Sequence, residues 1–304
     1  MQDKKIQDRF RGVIAPVLTA FKEDRSLDLD TYQQLIDWLC QSRISTLFPM
    51  GGSGEYQTLN MNERKVIIDL VAQINDRRRL FIAGTGGKNL QETITLCEYA
   101  QIKGADGVGV VIPDFIPPDQ DSIFNYYQKI DEVLNIPVMI YDPRGEGDYM
   151  ATPLLMRRLI DHLKNTAGIK YRTTNAEYMA NMAAEIANDI ALLSGNECTY
   201  LQDLVIGAVG CVGGGANFYP RLMWQLQDYF EQGEVLQARN VQYLLIDATH
   251  VLNRVYWPLS GKIVLQELGI PFKLITRIKG SPFSESDVQA IRRYYCRLLN
   301  EVSL

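Results

Sequence analysis

Eight short apolar runs, recurring at a nearly regular beat, constrain this chain more than any other feature. They occupy residues 12–18, 45–50, 80–84, 107–112, 137–141, 166–170, 190–194 and 208–212. Their starts lie roughly 20 to 35 residues apart, the length of one strand-plus-helix unit. The runs are continuous rather than alternating, which suits parallel strands buried on both faces. Between them, residues 31–40, 62–74, 90–100, 123–134, 153–163 and 176–186 carry apolar side chains at helical spacing. Eight strands alternating with helices predict an α/β chain closed into a (β/α)8 TIM barrel. An open doubly wound sheet would more often show a nucleotide fingerprint or a second domain.

The chain has 304 residues, more than the roughly 250 that one barrel needs. The surplus lies at the C-terminal end, where residues 235–255, 259–268 and 285–302 read as helices with no strand signal. Two units are therefore expected: residues 1–232, a barrel carrying the active site, and residues 233–304, a helical extension packed on it. A Lys-, Arg-, Gly- and Pro-rich stretch at 272–283 precedes the last helix, which Ser284 is placed to cap together with Asp287.

A formal net charge of −5 argues against nucleic acid or an acidic membrane surface as a partner. The one basic run, Arg77-Arg78-Arg79, reads as a solvated turn before a strand. No apolar span is long enough for a membrane helix, and residues 1–5 lack the apolar core of a signal peptide, so a cytoplasmic protein is expected. Cys40, Cys97, Cys198, Cys211 and Cys296 are scattered singly, which suits reduced thiols. His162 and His250 sit far apart in polar helical contexts. No metal-ligand spacing or Cys/His catalytic pairing is visible.

Barrel active sites form where strand C-termini meet the following loops. The second run leads into Gly51-Gly52-Ser53-Gly54-Glu55. Such a loop can turn backbone N–H groups toward an anion, although a tight turn would use the same glycines. The fifth run ends at Tyr141 and the sixth at Lys170. A lysine closing a buried strand is ordinarily a solvated terminus, but in a barrel that position is the pocket mouth. An ordinary lysine amine is neutral in only about one molecule in 2,500 at pH 7. Desolvation would raise that fraction, as imine chemistry requires, and a neighbouring tyrosine would relay protons. The eighth run leads into the glycine-rich 210–217, which would serve ligand space or close packing equally.

At these residues the chain resembles the dihydrodipicolinate synthase / N-acetylneuraminate lyase superfamily of class I aldolases and dehydratases. Gly51-Gly52-Ser53-Gly54-Glu55 is similar to the superfamily's keto-acid carboxylate loop, Ile140-Tyr141-Asp142-Pro143 to its Tyr-Asn-x-Pro segment, and Gly168-Ile169-Lys170 to its Schiff-base strand. Leu193-Ser194-Gly195-Asn196-Glu197 and residues 207–217 match later landmarks. The resemblance implies that Lys170 forms the imine and Tyr141 relays protons. It further implies that Gly52 and Ser53 hold the substrate carboxylate, and that Val212 lines the keto-acid pocket. It implies a small α-keto acid as substrate, no metal or organic cofactor, and a homo-oligomer, commonly a tetramer.

The departures bear on the reaction. Gly52 stands where the synthases place a relay threonine, and Phe115 where they place a second tyrosine. Neither residue has a hydroxyl to pass a proton. Asp142 replaces the usual Asn, and Arg144 and Arg172 are candidates for holding a second acidic group. These features favour a lyase on pyruvate or a 2-keto-3-deoxy sugar acid, by cleavage or dehydration. The alternatives are a synthase joining pyruvate to aspartate semialdehyde, and a non-catalytic keto-acid-binding barrel.

Overall fold

The structure, a computed structural model, describes residues 10–142 and 151–301. The eight apolar runs are eight strands: β1 (Gly12–Ala15), β2 (Thr46–Leu47), β3 (Leu80–Gly84), β4 (Gly107–Val111), β5 (Val138–Asp142), β6 (Thr166–Tyr171), β7 (Ala191–Ser194) and β8 (Gly210–Val212). They close in sequence order into an all-parallel barrel. The chain is thus a (β/α)8 barrel followed by further helices, as the beat of the sequence requires.

Six helices follow the first six strands that carry long crossovers: α1 (Leu29–Gln41), α2 (Met61–Asn75), α3 (Leu90–Ile102), α4 (Gln120–Asp131), α5 (Pro153–His162) and α6 (Ala176–Ile186). Each starts at a residue whose side chain accepts a hydrogen bond from the backbone N–H three positions on. Those residues are Asp28, Asn60, Asn89, Asp119, Thr152 and Asn175. A cap of this kind is worth about 1 kcal/mol and fixes where each crossover ends. A short α7 (Tyr200–Val205) and then α8 (Pro220–Glu231) flank β8.

The buried side chains sort into two shells. Phe10, Ile14, Phe48, Ile82, Met139 and Leu193 fill the barrel lumen, while a larger cluster packs strands against helices. Gly109 on β4 belongs to the lumen's geometry: a Cβ there would lie 2.5 Å from the Phe48 ring. No room exists for both.

One irregularity decides where the site forms. On β6, Thr166 faces outward, its Oγ1 donating to the Leu159 carbonyl of α5 at 3.4 Å. Strict alternation would send Lys170, four residues on, outward as well. The register with β5 shifts, however: Val138 pairs with Thr166 but Met139 pairs with Gly168, leaving Ala167 as an extra residue. Such a bulge re-aims the strand beyond it. Ile169 and Tyr171 consequently join the outer shell, and Lys170 opens onto a cavity at the barrel mouth.

The C-terminal part is helical: α9 (Val235–Leu252), α10 (Leu259–Glu267) and α11 (Glu285–Glu301). The expected boundary at 232/233 falls in the turn between α8 and α9, where Gly233 has a φ of +78°. Ser284 and Asp287 form the expected cap, with Asp287 Oδ2 accepting from Ser284 N at 3.0 Å and Ser284 Oγ from Asp287 N at 3.2 Å. Leu245, Ile263, Leu265, Ile291 and Tyr295 belong to the same continuous core as the strand–helix shell. No helix among the described residues is long and apolar enough to cross a membrane. The five cysteines are unpaired.

Candidate active site

A cavity of about 390 Å³ opens at the C-terminal end of the barrel strands. Lys170, Tyr141, Gly52, Ser53, Val212 and Arg172 all line it, so six of the seven residues singled out in the sequence converge there. Arg144, the seventh, lies outside the described residues. A larger cavity of about 670 Å³ sits elsewhere, bordered by Tyr56, Arg64, Lys88 and Phe115. Its buried guanidinium is already engaged, donating to the carbonyls of Gly86 and Gly84 at 2.6 and 2.9 Å. The candidate lysine and tyrosine line the smaller cavity instead.

Lys170 and Tyr141 are register partners on adjacent strands. The Nζ stands 4.3 Å from the centroid of the Tyr141 ring, over its face rather than hydrogen-bonded to its hydroxyl. Lys170 is 7% exposed and makes no hydrogen bond or ion pair among the described residues. Burial, reinforced by the nearby Arg172 guanidinium, pushes its pKa down to about 8. The neutral fraction at pH 7 thereby rises to about one molecule in ten, from about one in 2,500 at the ordinary value. Burial has the opposite effect on Tyr141, raising its phenol above the usual value against the pull of Arg172. Burial thus raises the neutral share of both the amine and the phenol. Arg172 itself is exposed at the rim.

The β2 loop is coiled tightly beside them. Gly54 N donates to the Gly51 carbonyl at 3.0 Å and Glu55 N to the Gly52 carbonyl at 3.1 Å. The N–H groups of Gly52 and Ser53 donate no hydrogen bond among the described residues, and they are available to an anion in the manner of a nest. A Cβ on Gly52 would lie 3.3 Å from the Tyr141 hydroxyl. The position where the sequence lacks a relay hydroxyl is thus directly against the phenol. Phe115 does not enter this cavity. It is 42% exposed, borders the larger one, and packs edge-on against Tyr126. Asp142 points away, buried, with Oδ2 accepting from Ala151 N at 3.0 Å.

Three participants carried no role in the sequence reading. Trp257, from the segment between α9 and α10, donates its Nε1–H to Ser53 Oγ at 3.1 Å. Glu197 lines the wall opposite, accepting from Gly215 N at 2.7 Å and Tyr219 Oη at 2.5 Å. Burial pushes its carboxyl above the usual range, and those two hydrogen bonds oppose the shift. The glycine-rich 210–217 therefore serves both of its expected purposes, since Gly214 borders the cavity while Gly215 has the Tyr219 ring 2.0 Å from where a Cβ would stand. Gly195 gives Lys170 its room: a Cβ there would lie 2.2 Å from the Tyr171 carbonyl oxygen and 3.1 Å from Lys170 Cε. Gly195→Ala is expected to cost about 1–3 kcal/mol by overpacking and to lower activity together with it, as denaturant melts and an imine assay would show. Among the described residues, no three His, Cys, Asp or Glu side chains gather with metal-binding geometry.

The profile of the Dihydrodipicolinate synthetase family matches residues 9–294. A 4-hydroxy-tetrahydrodipicolinate synthase of Chelativorans sp. (strain BNC1) is 31% identical over 262 residues, covering 86% of this chain and 89% of that one. Among solved structures, the dihydrodipicolinate synthase of Aquifex aeolicus superposes with a TM-score of 0.88 at 25% identity, covering 95% of this chain and 98% of its own. YagE, a prophage protein of the same family from E. coli K12 solved with pyruvate, gives 0.86 at 27% identity over 97% and 99%. A barrel that places a desolvated lysine beside a tyrosine and an open anion loop is thus matched along nearly its whole length, and the chain belongs to the dihydrodipicolinate synthetase family.

Proposed function

We propose that this enzyme, of the class I aldolase type, forms an imine between Lys170 and the ketone of pyruvate or a longer α-keto acid, and makes or breaks a carbon–carbon bond through it. The observation that carries the reading is the desolvated Lys170, without a hydrogen bond or ion pair among the described residues, in register with Tyr141. The keto-acid carboxylate sits on the Gly52 and Ser53 N–H groups and the Ser53 hydroxyl. The neutral amine attacks C2, giving a carbinolamine. Tyr141 passes a proton to the departing hydroxyl, and water leaves. The iminium then draws electrons from C3, so that losing a C3 proton yields a nucleophilic enamine. Addition of that carbon to an aldehyde builds a new bond, and hydrolysis of the imine returns Lys170.

The curated relatives support a synthase, joining pyruvate to aspartate semialdehyde, over the keto-deoxy sugar-acid lyase that the sequence alone favoured. One observation keeps the lyase as a second reading, namely the missing hydroxyl at Gly52 beside the Tyr141 phenol. In that reading the iminium draws electrons from the C3–C4 bond and cleaves it, or a C3 proton leaves and the resulting enamine expels the C4 hydroxyl as water, and Arg172 holds a distal acidic group. Turnover of pyruvate with aspartate semialdehyde, measured beside pyruvate release or water loss from 2-keto-3-deoxy sugar acids, separates the two. Robust condensation with no action on the sugar acids decides for the synthase, and the reverse for the lyase. A homo-oligomer in the cytoplasm belongs to the same proposal, its size checked by light scattering.

Because the nucleophile is the neutral amine, kcat/KM is expected to rise tenfold per pH unit below about 8 and to level off above it. A limb still climbing at pH 10 would mean that Lys170 keeps the titration of a solvated lysine.

A further inference from the structure

We infer that Glu55 and Lys262, an ion pair joining the β2 loop to the C-terminal helices, are positioning residues that hold the Gly52 and Ser53 N–H groups in register for the substrate carboxylate. The inference rests on the reading of that loop as the carboxylate seat.

Both side chains are fully buried, with Lys262 Nζ 2.9 Å from Glu55 Oε1. The same Nζ donates to the Ile275 carbonyl at 2.6 Å. The other carboxylate oxygen, Oε2, accepts from Thr276 Oγ1 at 2.6 Å and from Arg277 N at 2.8 Å. Among the described residues, every group bonded to this carboxylate belongs to the C-terminal part, on α10 or the stretch after it. Trp257, from the same region, reaches Ser53 Oγ. Two residues of the loop, Ser53 and Glu55, are gripped from outside the barrel.

The loop needs such a grip. Met50 and Glu55 both have positive φ, at 58° and 56°, a conformation disfavoured for residues with a Cβ and kept only where surroundings impose it. Gly54 between them has no space for a side chain, with the Met50 nitrogen 2.9 Å and the Val17 carbonyl oxygen 3.0 Å from where a Cβ would stand. The unpaired N–H groups of Gly52 and Ser53 point where the coil makes them point, and the coil ends on Glu55.

A buried ion pair is a poor device for stability, because desolvation offsets most of the attraction and well-packed apolar residues do as well. It is a demanding device for geometry, since its donors and acceptors meet only in one arrangement. Those properties fit a part whose task is to place the loop. The C-terminal helices thereby become a working element of the site.

The test uses the full chain, with pyruvate as the probe and borohydride trapping as the readout, well below the unfolding temperature. Glu55→Gln, Lys262→Met and the double variant are compared with wild type. The pyruvate concentration giving half-maximal trapping is expected to rise roughly tenfold or more, since a displacement of about 1 Å costs up to about a hundredfold. The maximal trapping rate at saturating pyruvate is expected to stay within about threefold, the signature of lost binding rather than lost chemistry. The double variant leaves no lone buried charge, so it is expected to regain thermal stability without regaining the pyruvate affinity. Should it fail to fold, Thr276→Val removes one hydrogen bond from Glu55 and is expected to raise half-saturation a few-fold. Folded variants whose half-saturation matches wild type would overturn the positioning role while the imine reading stands. No adduct in wild type would overturn both.

Discussion

Replacing Lys170 by alanine is expected to lower turnover by at least about ten-thousandfold and to abolish borohydride trapping, the scale on which covalent nucleophiles are lost. The same position makes a second, less obvious forecast. A buried amine with no hydrogen bond or ion pair among the described residues, and only the Tyr141 ring face beside it, destabilises the fold when it is charged. Its pKa is about 8 in the folded chain and 10.5 for an ordinary solvated lysine, so the unfolded chain binds more protons between those values. The penalty is complete below pH 8 and fades as pH climbs to 10.5. At 1.36 kcal/mol per pH unit, it amounts to about 3 kcal/mol at pH 7. Lys170→Met fills the space without the charge and should be more stable than wild type by up to that amount at pH 7, with the advantage shrinking by pH 10. Urea melts at the two pH values check it. A variant less stable than wild type at pH 7 would mean that the amine has a stabilising partner in the folded chain.

The second large effect concerns Tyr141. Phenylalanine keeps the ring whose face lies 4.3 Å from Lys170 Nζ and removes only the hydroxyl. Lys170 should therefore keep its place and its depressed pKa. Turnover is expected to fall by about 10²- to 10⁴-fold, the range for a lost proton relay, while half-saturation by pyruvate changes little. A comparable loss in both quantities would make Tyr141 a binding wall instead. Gly52→Thr offers the converse experiment, because it places a hydroxyl beside the phenol. A gain in condensation of pyruvate with aspartate semialdehyde would show that the missing relay limits this reaction.

Much of this site was legible because barrels obey a strong rule: continuous apolar runs become strands, and their C-terminal ends converge. Lys170, Tyr141 and the Gly52–Ser53 loop each close such a run, so their meeting followed from the beat alone. The bulge at Ala167 was not legible. Nothing in Thr166-Ala167-Gly168-Ile169-Lys170 announces an extra residue, yet without it the alternation from Thr166 would turn the lysine toward the helices. Trp257, Glu55 and Lys262 were also hidden, because their roles depend on where the C-terminal helices dock, and helical periodicity does not specify a docking site. Phe115 borders the larger cavity and not the one that holds Lys170, and sequence order alone does not say which cavity a loop residue borders. Gly195 lay within a recognised landmark, but its purpose, leaving Lys170 room, appears only when β6 and β7 lie side by side.

The central claim is that Lys170 forms a covalent imine with an α-keto acid. It is tested most directly by incubating the full chain with pyruvate and borohydride at pH 8, digesting it, and locating the reduced adduct by peptide mass spectrometry. One adduct per chain is expected, on Lys170 alone, lost in Lys170→Ala and competed by longer keto acids. An adduct on another lysine, or none with pyruvate or any longer keto acid, would contradict it.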